Sequence, residues 1–146
     1  MRIQKSIETA ASPQRVWPLL VEPEEILKWF TLLEKFEYTS DQRRGAGATF
    51  HYEEKSGRRL MKLDYRVTDW VENERFAFTL VSGPLPKDDQ VWSIAVVPAG
   101  SKVTLEEDVE LSGGVFGKLL LALLVGRMIG KHLGEMLANL KRLAEA

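Results

Sequence analysis

The sequence predicts an α+β fold in which a curved antiparallel sheet of six to seven strands wraps one long C-terminal helix, with two short helices after the first strand. Three observations predict it. Segments between Leu32 and Val109 alternate apolar and polar residues with the period of two that marks a sheet wet on one face and buried on the other. Ser12-Pro13 and Glu22-Pro23 set helix starts directly after the first strand. From about Val115 to about Ala144 the period becomes helical.

Taken in order, Arg2 to Thr9 is a short strand with Ile3 and Ile7 on one face. The helix after Ser12 carries Val16, Trp17, Leu19 and Leu20, and Pro18 inside it predicts a short or kinked element. Acidic residues follow Pro23 in a new first turn, and Ile26, Leu27, Trp29 and Phe30 make its apolar side. Strands are expected over Leu32–Tyr38, Ala48–Glu54, Leu60–Trp70, Arg75–Val81, Gln90–Val97 and Lys102–Val109. Turn signals part them: Arg44 to Gly47, Ser56-Gly57, Glu72 to Glu74, Gly83-Pro84 and Pro98 to Ser101. Ser112-Gly113-Gly114 precedes the long helix, whose Leu133, Met136, Leu137, Leu140 and Leu143 form an amphipathic stripe. At 1.5 Å per residue such a helix runs roughly 45 Å, so it must cross the whole sheet or bend.

The composition excludes several function classes. With 146 residues the chain suits a single domain spanning 1–146. Twenty basic against 21 acidic residues leave no electrostatic reason to expect a nucleic acid partner. No cysteine is present, which removes disulfides and thiolate metal sites and suits a cytoplasmic protein. Met1 to Lys5 shows no apolar signal region. The most apolar run, Leu119 to Val125, is far shorter than the roughly 20 residues of a membrane span. Such a run, apolar all round, is buried on all sides, covers a lipid entrance or meets a partner, and burial with a homodimer contact is the reading favoured.

Several stretches together resemble a known family. Ile7-Glu8-Thr9-Ala10-Ala11-Ser12-Pro13-Gln14-Arg15-Val16-Trp17 is similar to the strand-to-helix entry of the START-like, or SRPBCC, superfamily in its polyketide cyclase/dehydrase branch. Trp29 matches the tryptophan that closes the second small helix there. Val67 to Phe76 resembles the family's hairpin, with Asp69 where a glutamate and Glu72 where a proline is common. Gly100 to Thr104 and Leu140 to Glu145 resemble its last strand start and its helix ending. The resemblance covers essentially the whole chain. It implies a helix-grip fold with a hydrophobic cavity, in a superfamily of lipid carriers, hormone and allergen-type binders, aromatic polyketide cyclases and oxygenase domains. No catalytic motif is shared across it, so no functional residue carries over.

The residues themselves supply the candidates. By strand phase, Phe50, Tyr52, Met61, Leu63, Tyr65, Phe78, Trp92 and Leu105 face the concave side, and Trp29 joins them. They line a pocket for an apolar ligand or form ordinary core. The Tyr52 and Tyr65 hydroxyls can orient a ligand's polar group. Glu107 is in phase with Val103, Leu105 and Val109, so burial should raise its pKa and fit it for general acid or base work; an edge position or a structural ion pair is the alternative. Glu54, in phase with Phe50 and Tyr52, is a weaker second. His51 should point to solvent, and His51 and His132 have no metal-site spacing. No metal or cofactor is expected. Gly126, Gly130 and Gly134 recur every four residues along the last helix, which suggests close packing or cavity space. Binding of a small hydrophobic molecule such as a lipid, polyketide or aromatic compound is therefore the expected function. A cyclase/dehydratase-type enzyme is the alternative.

Overall fold

In the computed structural model, which describes residues 1–111 and 115–146, the strands and helices follow in the order the sequence predicts. Strand β1 (Arg2–Thr9) leads to helices α1 (Pro13–Val21) and α2 (Pro23–Trp29). Strands β2 (Leu33–Tyr38), β3 (Thr49–Ser56), β4 (Arg59–Val71), β5 (Arg75–Ser82), β6 (Lys87–Val97) and β7 (Gly100–Glu110) follow, and α3 (Val115–Glu145) closes the chain. The Ser12 hydroxyl caps α1 by accepting from the Arg15 N–H. Pro23 forces Glu22 into extended backbone, which ends α1 and starts α2.

The strands make one antiparallel seven-stranded sheet in the order β1-β7-β6-β5-β4-β3-β2, curled into a half-barrel. Irregular register in β4 and β5, between Asp64 and Tyr65 and between Val67 and Asp69, adds bends to that curl. Because β1 and β2 lie at opposite edges, α1 and α2 bridge from one edge of the sheet to the other. Gly100 begins β7 because only glycine fits: a Cβ there would lie 2.4 Å from the Thr9 carbonyl oxygen.

One end of the half-barrel is closed by apolar packing and by the last turns of α3. Leu133, Met136, Leu137, Leu140 and Ala144 are buried on the helix's inner face. The Thr9 hydroxyl donates to Glu145 at 2.9 Å, Arg15 donates to the Ala144 carbonyl, and Trp29 Nε1 donates to the Leu19 carbonyl at 2.7 Å. Trp17 sets its ring edge-on against Trp70 and Phe76, at centroid distances of 5.3 and 6.5 Å.

One sequence expectation for α3 is corrected, and a second loses its close-packing alternative. Leu119 and Leu123 are 67% and 64% exposed rather than buried. They sit one turn apart, so they share a face, and nothing described covers it. The Ser112-Gly113-Gly114 connection and the remaining side chains of the run to Val125 lie outside the described residues. The glycines, too, answer to no tight contact. A Cβ at Gly126 or Gly130 would make ordinary contact with Met1 or Lys5, and one at Gly134 would meet nothing within 4 Å.

Candidate functional site

Alternation along β6 turns Asp88, Gln90, Trp92 and Ile94 inward, all of them buried. Glu107 of β7 pairs with Gln90 and projects to the same side. Tyr65 of β4 and Tyr52 and Glu54 of β3 face it from the other half of the sheet.

A chain of hydrogen bonds ties these groups together. Trp92 Nε1 donates to Gln90 Oε1 at 3.2 Å, which fixes the amide with its Nε2 toward the acids. That Nε2 donates to Asp88 Oδ2 at 3.2 Å and more weakly to Glu107 Oε1 at 3.4 Å. The Tyr65 hydroxyl donates to Asp88 Oδ2 at 2.6 Å, the short length of a donor meeting an ionised carboxylate. Asp88 Oδ1 is buried with no donor among the described residues, so the hydrogen that the protein offers it is the one Asp88 and Glu107 share.

The electrostatics follow from burial and like charge. Burial, then the Asp88 charge and the hydrogen bond to Asp88, push the Glu107 carboxyl up to about 9. Burial also raises Asp88, although hydrogen bonds from Glu107, Tyr65 and Gln90 pull it back. Both carboxyls are thus raised, and the pair keeps a proton at neutral pH. Burial and the Asp88 charge raise Glu54 to about 7. The Tyr65 and Tyr52 hydroxyls are held well above the ordinary phenol range, so both remain donors.

The apolar candidates form one cluster beside these acids. Phe50 stacks on Tyr65 at 5.3 Å, and Phe78 meets both rings edge-on at 5.0 and 4.9 Å. Tyr52 lies 5.3 Å from Tyr65, Leu63 is its cross-strand partner, and Leu105 pairs with Trp92. Trp29 reaches in from α2 to within 5.7 Å of Trp92. All of these are buried against each other. Met61 differs. It is half-buried, pairs with Glu54, and lines a cleft of about 610 Å³ with Ser56, Arg59, Lys62, Gly83 and Pro84. That cleft opens at the end of the sheet where Glu54 lies.

His51 corrects an expectation. It is on the outer face, but its side chain is only 16% exposed, with Nδ1 2.8 Å from Asp64 and Nε2 2.9 Å from Glu53. Burial lowers its pKa, yet the two carboxylates outweigh that and hold it above the ordinary imidazole value. His132 is 3.9 Å from Glu135. Among the described residues, no group of three acidic or histidine side chains is placed to hold a metal ion.

Asp88 and Gln90 were the residues that sequence reasoning missed as site members. Strand β6 was expected to begin at Gln90, which left Asp88 in a loop, whereas it begins at Lys87. The signal was present: Asp88 is two residues before Gln90 and four before Trp92, in the inward phase.

Residues 1–145 match the family described as polyketide cyclase / dehydrase and lipid transport. The chain belongs to that family. An uncharacterized protein of Mycobacterium tuberculosis is 25% identical over 98% of this chain and 84% of its own length. Among solved structures, the protein TTHA0849 from Thermus thermophilus superposes with a TM-score of 0.83 at 19% identity, covering 99% of this chain and 97% of that one. The ZhuI aromatase/cyclase from a Streptomyces species gives 0.81 at 14% identity, over 99% and 93%. Likeness at such identity shows the shared helix-grip fold of the polyketide cyclase / dehydrase family. No helix among the described residues is long and apolar enough to cross a membrane.

Proposed function

We propose that the chain binds a small hydrophobic molecule on the concave side of its sheet, with the Asp88–Glu107 pair meeting that molecule's polar group. One observation carries this: Asp88 is a carboxyl only 3% exposed, set beside buried aromatic side chains and a second acid rather than a base. Burying a carboxyl costs several kcal/mol, and a leucine there would serve stability better. Trp29, Phe50, Tyr52, Leu63, Tyr65, Phe78, Trp92 and Leu105 would meet the apolar body, and the cleft at Met61 would be the way in. Family membership supports the same role.

The test uses the neutral, apolar dye Nile red. Titration into the protein should give saturable, blue-shifted fluorescence that bulky substitution at the cleft, Met61→Trp, weakens. Native mass spectrometry of freshly purified protein should show a retained small molecule. No saturable signal and no retained molecule would remove the proposal.

A second reading is favoured by one specific feature. Glu107, raised to about 9, lies beside a second buried acid, Asp88, and a pair that holds a proton at neutral pH suits acid–base catalysis on a polyketide-like substrate. Glu107→Gln should then abolish turnover of a confirmed substrate, and unchanged turnover would dismiss Glu107 as the acid.

A further inference from the structure

We infer that the cleft between β4 and the end of β5 seats an extended, acidic segment of a partner protein, added as a strand to the free edge of β4. Strand β4 starts at Arg59, but its pairing with β5 begins only at Asp64, opposite Ser82. Gly83-Pro84 ends β5 there, because proline has no N–H to give a neighbouring strand. Arg59 to Leu63 therefore have β3 on one side and no strand on the other. Ser56 and Arg59 close a two-residue hairpin, and such a closing pair exchanges its hydrogen bonds. Alternation from that pair turns the N–H and C=O groups of Leu60 and Lys62 away from β3 and toward the cleft. Val67, in the same phase as Arg59, bonds to the backbone of Gly47 and Ala48 just before β3, as this alternation requires.

The lining of the cleft has the mark of a strand edge. Consecutive residues, Arg59 to Lys62, form one side, whereas a pocket on either face of the sheet would take alternate ones. Ser82 to Pro84 form the other side. Gly83 closes the inner end, where a Cβ would come 3.3 Å from the Lys62 carbonyl oxygen. Charge selects the occupant. Arg59 and Lys62 are exposed, neither forms an ion pair among the described residues, and no acid lines the cleft. Glu53, across from Lys62 on β3, is held by His51. The same edge of a second copy would crowd cations together, which disfavours pairing. Arg59 and Met61 alternate to the inner side, Leu60 and Lys62 to the outer. The segment's residues opposite Arg59 to Lys62 should therefore read acidic, apolar, apolar, acidic.

A fluorescein-labelled peptide with the core Glu-Val-Val-Glu tests this, titrated with the protein and read by fluorescence anisotropy. It should bind saturably, and about tenfold tighter than a Lys-Val-Val-Lys peptide. Methylating its four core amide nitrogens, which leaves the charges in place, should abolish binding. Leu60→Pro removes an edge N–H that β3 does not use, and should weaken binding about fivefold at an unchanged melting temperature. Should that variant not fold, Arg59→Glu combined with Lys62→Glu, both at exposed positions, should turn the preference toward the lysine peptide. No saturable binding, or equal binding of the methylated peptide, would overturn the inference. So would unchanged binding in a folded Leu60→Pro, an unchanged preference in the charge-reversed variant, or self-association of the chain that Leu60→Pro abolishes.

Discussion

The two ends of the half-barrel are built differently. At the end where α1 and α2 cross, Trp17, Trp70 and Phe76 pack edge to face, and Thr9, Arg15 and Trp29 use their polar atoms to pin neighbouring backbone or the last turn of α3. Each of these polar groups has a partner that also fastens one element to another. At the opposite end Glu54, Asp88 and Glu107 are brought together with no base among them, and Leu119 and Leu123 of α3 stand exposed. The first end is what a stable fold requires. The second carries a desolvation cost that the fold does not need, and this is why the function is sought there.

The contrast can be broken most forcefully at Leu140, 1% exposed at the closed end. Leu140→Ala should lower stability by about 2–5 kcal/mol, read from urea unfolding, because the cavity it leaves cannot fully collapse. A loss below about 1 kcal/mol would mean the closed end is not where the stability resides.

The acids should act in the opposite sense. Glu107 has a folded pKa of about 9 and Glu54 of about 7, both above the ordinary carboxylate value. The folded chain therefore holds more protons than the unfolded one between those values and the ordinary one. The stability this contributes is complete below the unfolded pKa, and is lost as pH rises through about 7 for Glu54 and about 9 for Glu107. Wild-type stability should thus fall by on the order of 1–3 kcal/mol from about pH 6 to about pH 10. Glu107→Gln, which cannot ionise, should remove the upper part of that fall. A wild-type profile that is flat or rising across this range would contradict the buried acids.

The smallest expected effect sharpens the comparison within α3. Gly134 is exposed, and a methyl there meets nothing. Gly134→Ala should therefore stabilise by about 1 kcal/mol through helix propensity alone. Destabilisation in a thermal melt would show that the glycine answers to a close neighbour after all.

Much of the fold was legible before any coordinates. Alternation along Met61, Leu63, Tyr65 and Val67 assigned the inner face of β4, and the same phase put Glu107 inward on β7. Ser12-Pro13 and Glu22-Pro23 marked the starts of both short helices to the residue, because capping and proline act through immediate neighbours. The extra three residues of β6 were not legible, since Lys87-Asp88-Asp89 is a charged run that local pattern reads as loop. Pairing with β7 overrode that pattern, setting Asp88 opposite Val109.

Local chemistry is written in neighbouring residues, so the order of elements, their caps and the direction each strand residue faces could be had from the chain alone. The meeting of Asp88 and Gln90 with Tyr65 and Glu107 could not, because it joins residues on β4, β6 and β7 that stand 23 positions apart for Tyr65 and Asp88 and 17 for Gln90 and Glu107. Neither could the exposure of Leu119 and Leu123, which depends on how far α3 extends beyond what covers it. Burial and charge coupling arise only when strands distant in the chain are folded side by side.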